Sequence, residues 1–166
     1  MLTCSVRVAP FVCFITSLLC SQVFHSNPRW PTDAEFLSVN KIVGSACQRY
    51  PNLEVSFVWS LIWEESKYDT LARGSKGEIG LGQLKPATAD GLGVRDRTNV
   101  PESVEASIRH LSYPLRKYRN DTRLVLAAYN SGEPIVDRCH GMPAASRAYV
   151  SRIEQNRLFA KRAVSH

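Results

Sequence analysis

The sequence predicts a single all-α domain, and three observations predict it. Its 166 residues are 44% hydrophobic and 22% charged, enough for one core and little more. Apolar residues recur three or four positions apart in successive stretches, the spacing that gives a helix one buried face. Between those stretches stand Asp, Asn, Pro and Gly, the residues that cap and break helices.

The first stretch stands apart from this domain. Met1 to Arg7 carries one positive charge, an apolar run follows from Val8 to about Leu19, and polar Ser21-Gln22 leads to Pro28. That order is the layout of a secretory signal. The run is short for a spanning helix, which needs about 20 apolar residues, although extension through Val23-Phe24 would make an uncleaved anchor. The expected division is therefore residues 1–26 as signal peptide or N-terminal anchor and 27–166 as the domain, with Asn27-Pro28-Arg29-Trp30-Pro31 as the exit linker. Large Leu18-Leu19 before Cys20 argue against a lipid-modified cysteine.

Each element can then be justified in turn. Thr32 or Asp33 caps a helix to about Arg49, with Phe36, Leu37, Ile42, Val43 and Cys47 as its apolar positions, and Pro51-Asn52 ends it. Leu53 to Ser66 again suits a helix. At about 100° per residue, Val58, Trp59, Ile62 and Trp63 share one arc, Glu65 lands at its edge beside Val58 and Leu61, and Glu64 falls with Ser56 and Ser60. Glu64 is thus expected to be a solvated surface carboxylate. Glu65 is an acid forced toward apolar neighbours, where desolvation raises a carboxyl pKa; a helix-end acid paired to a basic residue is the plainer alternative.

From Ala72 to Gly82 glycines stand at 74, 77, 80 and 82, too many for a helix interior and suited to a tight exposed turn. No Gly-Lys-Ser/Thr ending follows, so a phosphate cradle is excluded. Lys85-Pro86-Ala87 enters a short helix, and Asn99 to Pro101 starts another, with Val104, Ile108, Leu111 and Leu115 inward and Pro114 as a point of kinking. Asp121-Thr122 caps an apolar helix from Leu124 to Tyr129, stopped by Asn130-Ser131-Gly132. A basic amphipathic helix from Ala144 to about Val164 closes the chain, read as a solvated terminal helix rather than a membrane-binding one.

Charge and cysteines narrow the partners. The formal charge of +6 favours an anionic partner or simple solubility, but no Arg/Lys block with interleaved aromatics is present, so nucleic acid is not expected. The scattered histidines, His25, His110, His140 and His166, and the lack of Cys-x-x-Cys argue against a metal. Three cysteines lie in the leader; Cys47 and Cys139 remain, either as one disulfide, which would stabilise an exported domain by about 2 to 5 kcal/mol, or as two unpaired buried thiols.

With Glu65-Ser66, Gly80-Leu81-Gly82-Gln83, Ala128-Tyr129-Asn130-Ser131-Gly132 and Tyr149-Val150 in this order, the chain resembles the soluble lytic transglycosylase catalytic domain, a lysozyme-like family that cleaves bacterial peptidoglycan. The resemblance spans about Val55 to Ile153, and Lys85-Pro86-Ala87-Thr88-Ala89 agrees with it. It implies a single lysozyme-like helical domain without cofactor. Glu65 would be the sole catalytic acid, acting between N-acetylmuramic acid and N-acetylglucosamine and leaving a 1,6-anhydro end. Gln83, Tyr129 and Asn130 would line the glycan cleft, Tyr149 would set its hydroxyl near Glu65, and Ser66 would orient the acid or the sugar. A muramidase on the same fold and a noncatalytic glycan-binding subunit are the rival readings.

The residues bear on this allocation independently. Hydrolases pair two carboxylates about 5 Å apart for retention or about 6.5 to 9.5 Å apart for inversion. Here Glu64 is expected to point away, and Asp69 and Glu78 lie in loops without evident partners. One acid suffices when the substrate supplies its own nucleophile, which gains the effective concentration of a tethered group. Three positions depart from the family pattern: Gly82 in place of methionine, which is expected to loosen the cleft, Gly74 in place of a common serine, and Ala145 in place of a glutamate. Peptidoglycan strands are thus the implied partner and the periplasm or exterior the implied location. By analogy of size, local wall opening for a secretion or conjugation machine is the expected setting.

Overall fold

The computed structural model describes residues 33–164; the leader expected over 1–26 lies outside them. Seven α-helices follow in order: α1 (Asp33–Cys47), α2 (Val55–Ser66), α3 (Pro86–Gly91), α4 (Val100–Lys117), α5 (Thr122–Ser131), α6 (Glu133–Arg138) and α7 (Arg147–Val164), the last preceded by a 3-10 turn at Ala144–Ser146. Among the described residues no strand forms; Ile79 alone makes isolated bridges, to Arg73 and Leu84. Nor is any described helix long and apolar enough to cross a membrane. The all-α expectation holds.

Capping chemistry sets where the helices begin. Asn99 accepts from the Glu102 N–H at 3.1 Å to start α4, and Asp121 accepts from Arg123 and Leu124 to start α5. Helix α4 runs through Pro114 to Lys117, with the proline ring buried on the core side. Helix α6 is absent from the sequence reading, which ends the motif at Gly132. There Gly132, at φ +88°, closes α5 and opens α6 at once, and Glu133-Pro134 supply the acid and proline that favour a first turn. That pair was the available signal.

The core joins α1, α2, α4, α5 and α7 through fully buried Val43, Val58, Ile62, Ile108, Val125 and Ile153. Helix α2 is its axis: apolar along most of its length, it packs more extensively on α7 than any other two helices pack on each other. Polar bonds at both ends fix that pairing. Near the start of α2, Glu54 holds Arg157 at 2.9 Å and Lys161 at 2.6 Å, which together draw its carboxyl down to about 2. Near its end, Arg152 reaches Glu64 at 2.5 Å.

The cysteine pair is corrected. Cys47, at the end of α1, is buried in the core, where burial pushes its thiol up to about 11; Cys139 follows α6 on the exposed surface, and both are free. The core claims one side chain and solvent the other, so no disulfide closes. A thiol reagent is expected to label Cys139 in the folded protein and Cys47 only after denaturant is added, as peptide mass mapping would show.

Candidate active site

The site begins where α2 stops. Glu65 is the penultimate residue of the helix, and beyond Ser66 both Lys67 (φ 52°) and Tyr68 (φ 65°) turn left-handed. Such backbone costs about 1–2 kcal/mol per residue without glycine. Tyr68 offsets it by burying its ring, 4.9 Å from Phe36 and 6.0 Å from Trp59, while its hydroxyl donates to Asn40 Oδ1 at 2.9 Å. The acid is therefore held on a fixed helix end.

The surroundings of Glu65 favour its proton. Its carboxyl is pushed up to about 7, chiefly by burial; the hydroxyl of Tyr149 on α7, which donates to Oε1, opposes the shift, the charges of Glu64 and Glu78 add to it, and Lys67 opposes it weakly. Burial and the Glu65 charge raise Tyr149 well above its ordinary value, so it remains a donor. A carboxylic acid of this kind can protonate a leaving oxygen near neutral pH and afterwards accept a proton.

The neighbouring acids are arranged differently from expectation. Glu64 is not a solvated carboxylate: its side chain is only 10% exposed, between Arg152 and Lys67 at 3.3 Å, because α7 covers that side of α2. Asp69 is committed to the Leu71 N–H at 2.8 Å. Glu78 is not without a partner, since its Oε2 accepts from the Lys76 N–H at 2.8 Å.

The glycine loop packs against this helix end. Gly80 N–H donates to Ala72 O at 3.0 Å, Ile79 and Leu84 exchange bonds of 3.2 Å, and Arg97 ties down the carbonyls of Gly77 and Leu84 at 2.7 and 2.9 Å. At Gly80, φ is +81° and a Cβ would overlap the Arg97 carbonyl, so the position requires glycine. Gln83 braces the loop from within, donating through Nε2 to Ala72 O and Gly80 O at 3.1 and 2.9 Å. Its two amide hydrogens are thereby engaged.

Gly82 does not leave a gap. A Cβ there would overlap Ser107 Oγ and lie 2.9 Å from the Tyr129 hydroxyl. That hydroxyl donates to Gly82 O at 2.6 Å, and Tyr129 is raised by burial and by the Glu65 charge. The expected loosening is corrected: Ser107 and Tyr129 fill the space. His110 packs tilted against the Tyr129 ring, the planes 59° apart and the centroids 5.0 Å apart, a neighbour that sequence spacing did not single out. Asn130 is exposed, with Nδ2 3.5 Å from Ser146 Oγ. Ser66 turns away from the acid; its buried hydroxyl donates back to Ile62 O at 3.1 Å. A separate groove between α1 and α4, lined by Lys41, Arg49, Glu105 and Arg109, includes none of these residues.

Fold and site together define a lysozyme-like helical domain built around one half-buried, proton-holding glutamate. Residues 44–149 match the family model of the transglycosylase SLT domain, and the chain belongs to that family. It is 37% identical over 84 residues to membrane-bound lytic murein transglycosylase F of Sodalis glossinidius, covering 45% of this chain and 18% of that protein. With the protein of the same name from Salmonella choleraesuis it shares 31% over 117 residues, covering 60% and 23%. The chain thus spans about a fifth of those relatives. Among solved structures, lytic transglycosylase Slt from Pseudomonas aeruginosa, an inactive mutant, superposes with a TM-score of 0.65 at 17% identity, over 75% of this chain and 24% of that one. The 70 kDa soluble lytic transglycosylase of Escherichia coli gives 0.52 at 20% identity, over 72% and 22%. Both likenesses are of fold.

Two outcomes are expected. The native state keeps the Glu65 proton between about pH 4.5 and 7 while the unfolded chain has lost it, so this residue's contribution to stability falls across that window. Glu65→Gln should therefore be more stable than wild type at pH 8 by about 1–3 kcal/mol, with little difference near pH 4, in denaturant titrations. Gly82→Ala should destabilise by about 1–3 kcal/mol through overpacking, and Ser107→Ala in the same chain should recover part of that loss.

Proposed function

We propose that this chain is a peptidoglycan lytic transglycosylase. Glu65 protonates the glycosidic oxygen linking N-acetylmuramic acid to N-acetylglucosamine, and the bond from that oxygen to the muramyl anomeric carbon breaks. The carboxylate then takes the proton of the muramyl 6-hydroxyl as its oxygen attacks the anomeric carbon, closing a 1,6-anhydro ring and returning Glu65 to its acid form. The observation that carries this reading is the Glu65 carboxyl, raised to about 7 by burial and hydrogen-bonded by Tyr149. Membership of the family supports it, as do relatives whose names specify murein.

In this reading Tyr149 steers the acid's lone pairs, Tyr129 and Gln83 hold the loop that forms the cleft wall, and Asn130, exposed and bonded through Nδ2 to Ser146, meets the glycan through its amide oxygen. The leader-like first stretch supports export past the inner membrane, with the wall as site of action and local opening for a secretion or conjugation machine as the proposed setting.

Mass spectrometry of the soluble products from purified peptidoglycan tests the proposal. Anhydro-muropeptides are expected from wild type, with a rate falling above about pH 7 as Glu65 loses its proton. Glu65→Gln should lower that rate by about 10²- to 10⁴-fold. Products one water heavier would mean a muramidase, and a folded protein yielding none would leave only glycan binding.

A further inference from the structure

Gly74 has no room for a side chain, and what fills that room is a carboxylate. A Cβ at Gly74 would overlap Glu78 Oε2, with Glu78 Cβ at 2.9 Å and Gln83 Oε1 at 3.0 Å. The Glu78 side chain thus folds back across the glycine loop onto the flank where Gln83 lies, in the space that the serine common at position 74 would need. Lys76 N–H donates to Glu78 Oε2 at 2.8 Å and holds the side chain there, while Gly74 N–H donates to Glu78 O at 2.9 Å and closes the turn beneath it.

We infer that Glu78 is a second carboxylate of this active site, a fixed anion on the cleft wall beside Gln83 whose charge stabilises the cationic sugar ring formed as the glycosidic bond breaks. The inference rests on the glycan-cleaving reading above and adds a residue to it.

The two carboxyls are suited to different tasks. Partial burial of Glu78 works against its charge, but its own N–H and that of Lys76, with the Lys85 and Lys76 ammonium groups, hold it below the usual carboxylate range. It therefore stays an anion at the pH where Glu65 is an acid. An acid held protonated and a carboxylate held ionised within electrostatic reach of each other is the division of labour that glycosidic cleavage uses. Here the second group needs no water, because the substrate hydroxyl attacks and Glu65 handles both proton transfers. Its charge opposes the one that grows on the ring, and such stabilisation is largest in the transition state.

The groups facing Glu65 are Glu64 on its own helix, Lys67 just beyond that helix, Glu78 from the loop, Tyr129 from α5 and Tyr149 from α7. Glu64, although paired with Arg152 and Lys67, and Glu78 both raise Glu65 through their charge. Removing the Glu78 charge should therefore lower the pH at which Glu65 gives up its proton.

The experiment compares wild type, Glu65→Gln, Glu78→Gln and Glu78→Ala on purified peptidoglycan across pH 4 to 9, with thermal melts of each. The glutamine amide oxygen can still accept from Lys76, so Glu78→Gln is expected to keep its melting temperature, lose about tenfold or more in kcat, and move the basic limb of the pH profile to lower pH. Full rate with an unmoved limb would overturn the inference, as would a loss of rate that follows a lowered melting temperature with the limb in place. An inactive wild type removes the function itself; an active wild type, silent as Glu65→Gln and unchanged as Glu78→Gln, removes only the role of Glu78.

Discussion

The carboxyl of Glu65 imposes one demand on its surroundings: it must be out of water, yet have a partner that does not strip its proton. A lysine or arginine at that distance would fix it as a carboxylate. A tyrosine hydroxyl donates a hydrogen bond without bringing a charge, and burial raises the Tyr149 phenol too far for it to ionise. The cations of the neighbourhood are taken up elsewhere, Arg152 and Lys67 on Glu64, and Arg157 and Lys161 on Glu54. The salt bridges between α2 and α7 thus dock the helix that carries Tyr149 and draw positive charge away from the acid. Surface pairs of this kind contribute little stability on their own; their effect here is positional.

The glycine loop answers to the same demand from the other side. It must pass close to α4, to α5 and to the segment leading into α4, and does so where side chains are missing: at Gly80 against the Arg97 carbonyl, and at Gly82 against Ser107 and Tyr129. Gly74 and Glu78 repeat the exchange, one residue giving up volume that another takes. Departures that look like losses in a list of motif residues are, in space, transfers of volume from one residue to a partner distant in sequence.

Much of this was legible in the chain, and the remainder has physical reasons for being hidden. Helix positions followed from local rules, since capping by Asn99 and Asp121 and the spacing of Val104, Ile108 and Leu111 are short-range. The asymmetry of Glu64 and Glu65 was half legible: the helical wheel separates the two faces but does not reveal that α7 covers the polar one. Ser66 and Gln83 kept their motif positions yet direct their donors into their own helix and loop, a choice set by unsatisfied carbonyls that no sequence pattern displays. Helix α6 fell where Gly132 reads as a stop, because a glycine at positive φ can end one helix and begin the next. The pairing of Cys47 with Cys139, one of two readings, rested on a leftover pair in an exported chain, and neither number nor compartment carries information about which side of the core each thiol occupies.

The bond between Tyr149 and Glu65 joins residues 84 apart in the chain. Closing a contact of such separation costs the entropy of the long loop between its partners. Until α7 docks, Glu65 is a helix-end carboxylate in water, ionised at neutral pH like any other. The proton on Glu65 is therefore a property of the completed tertiary structure and of no fragment of it, so in the reading proposed above a partly folded chain has no acid with which to cut a glycan.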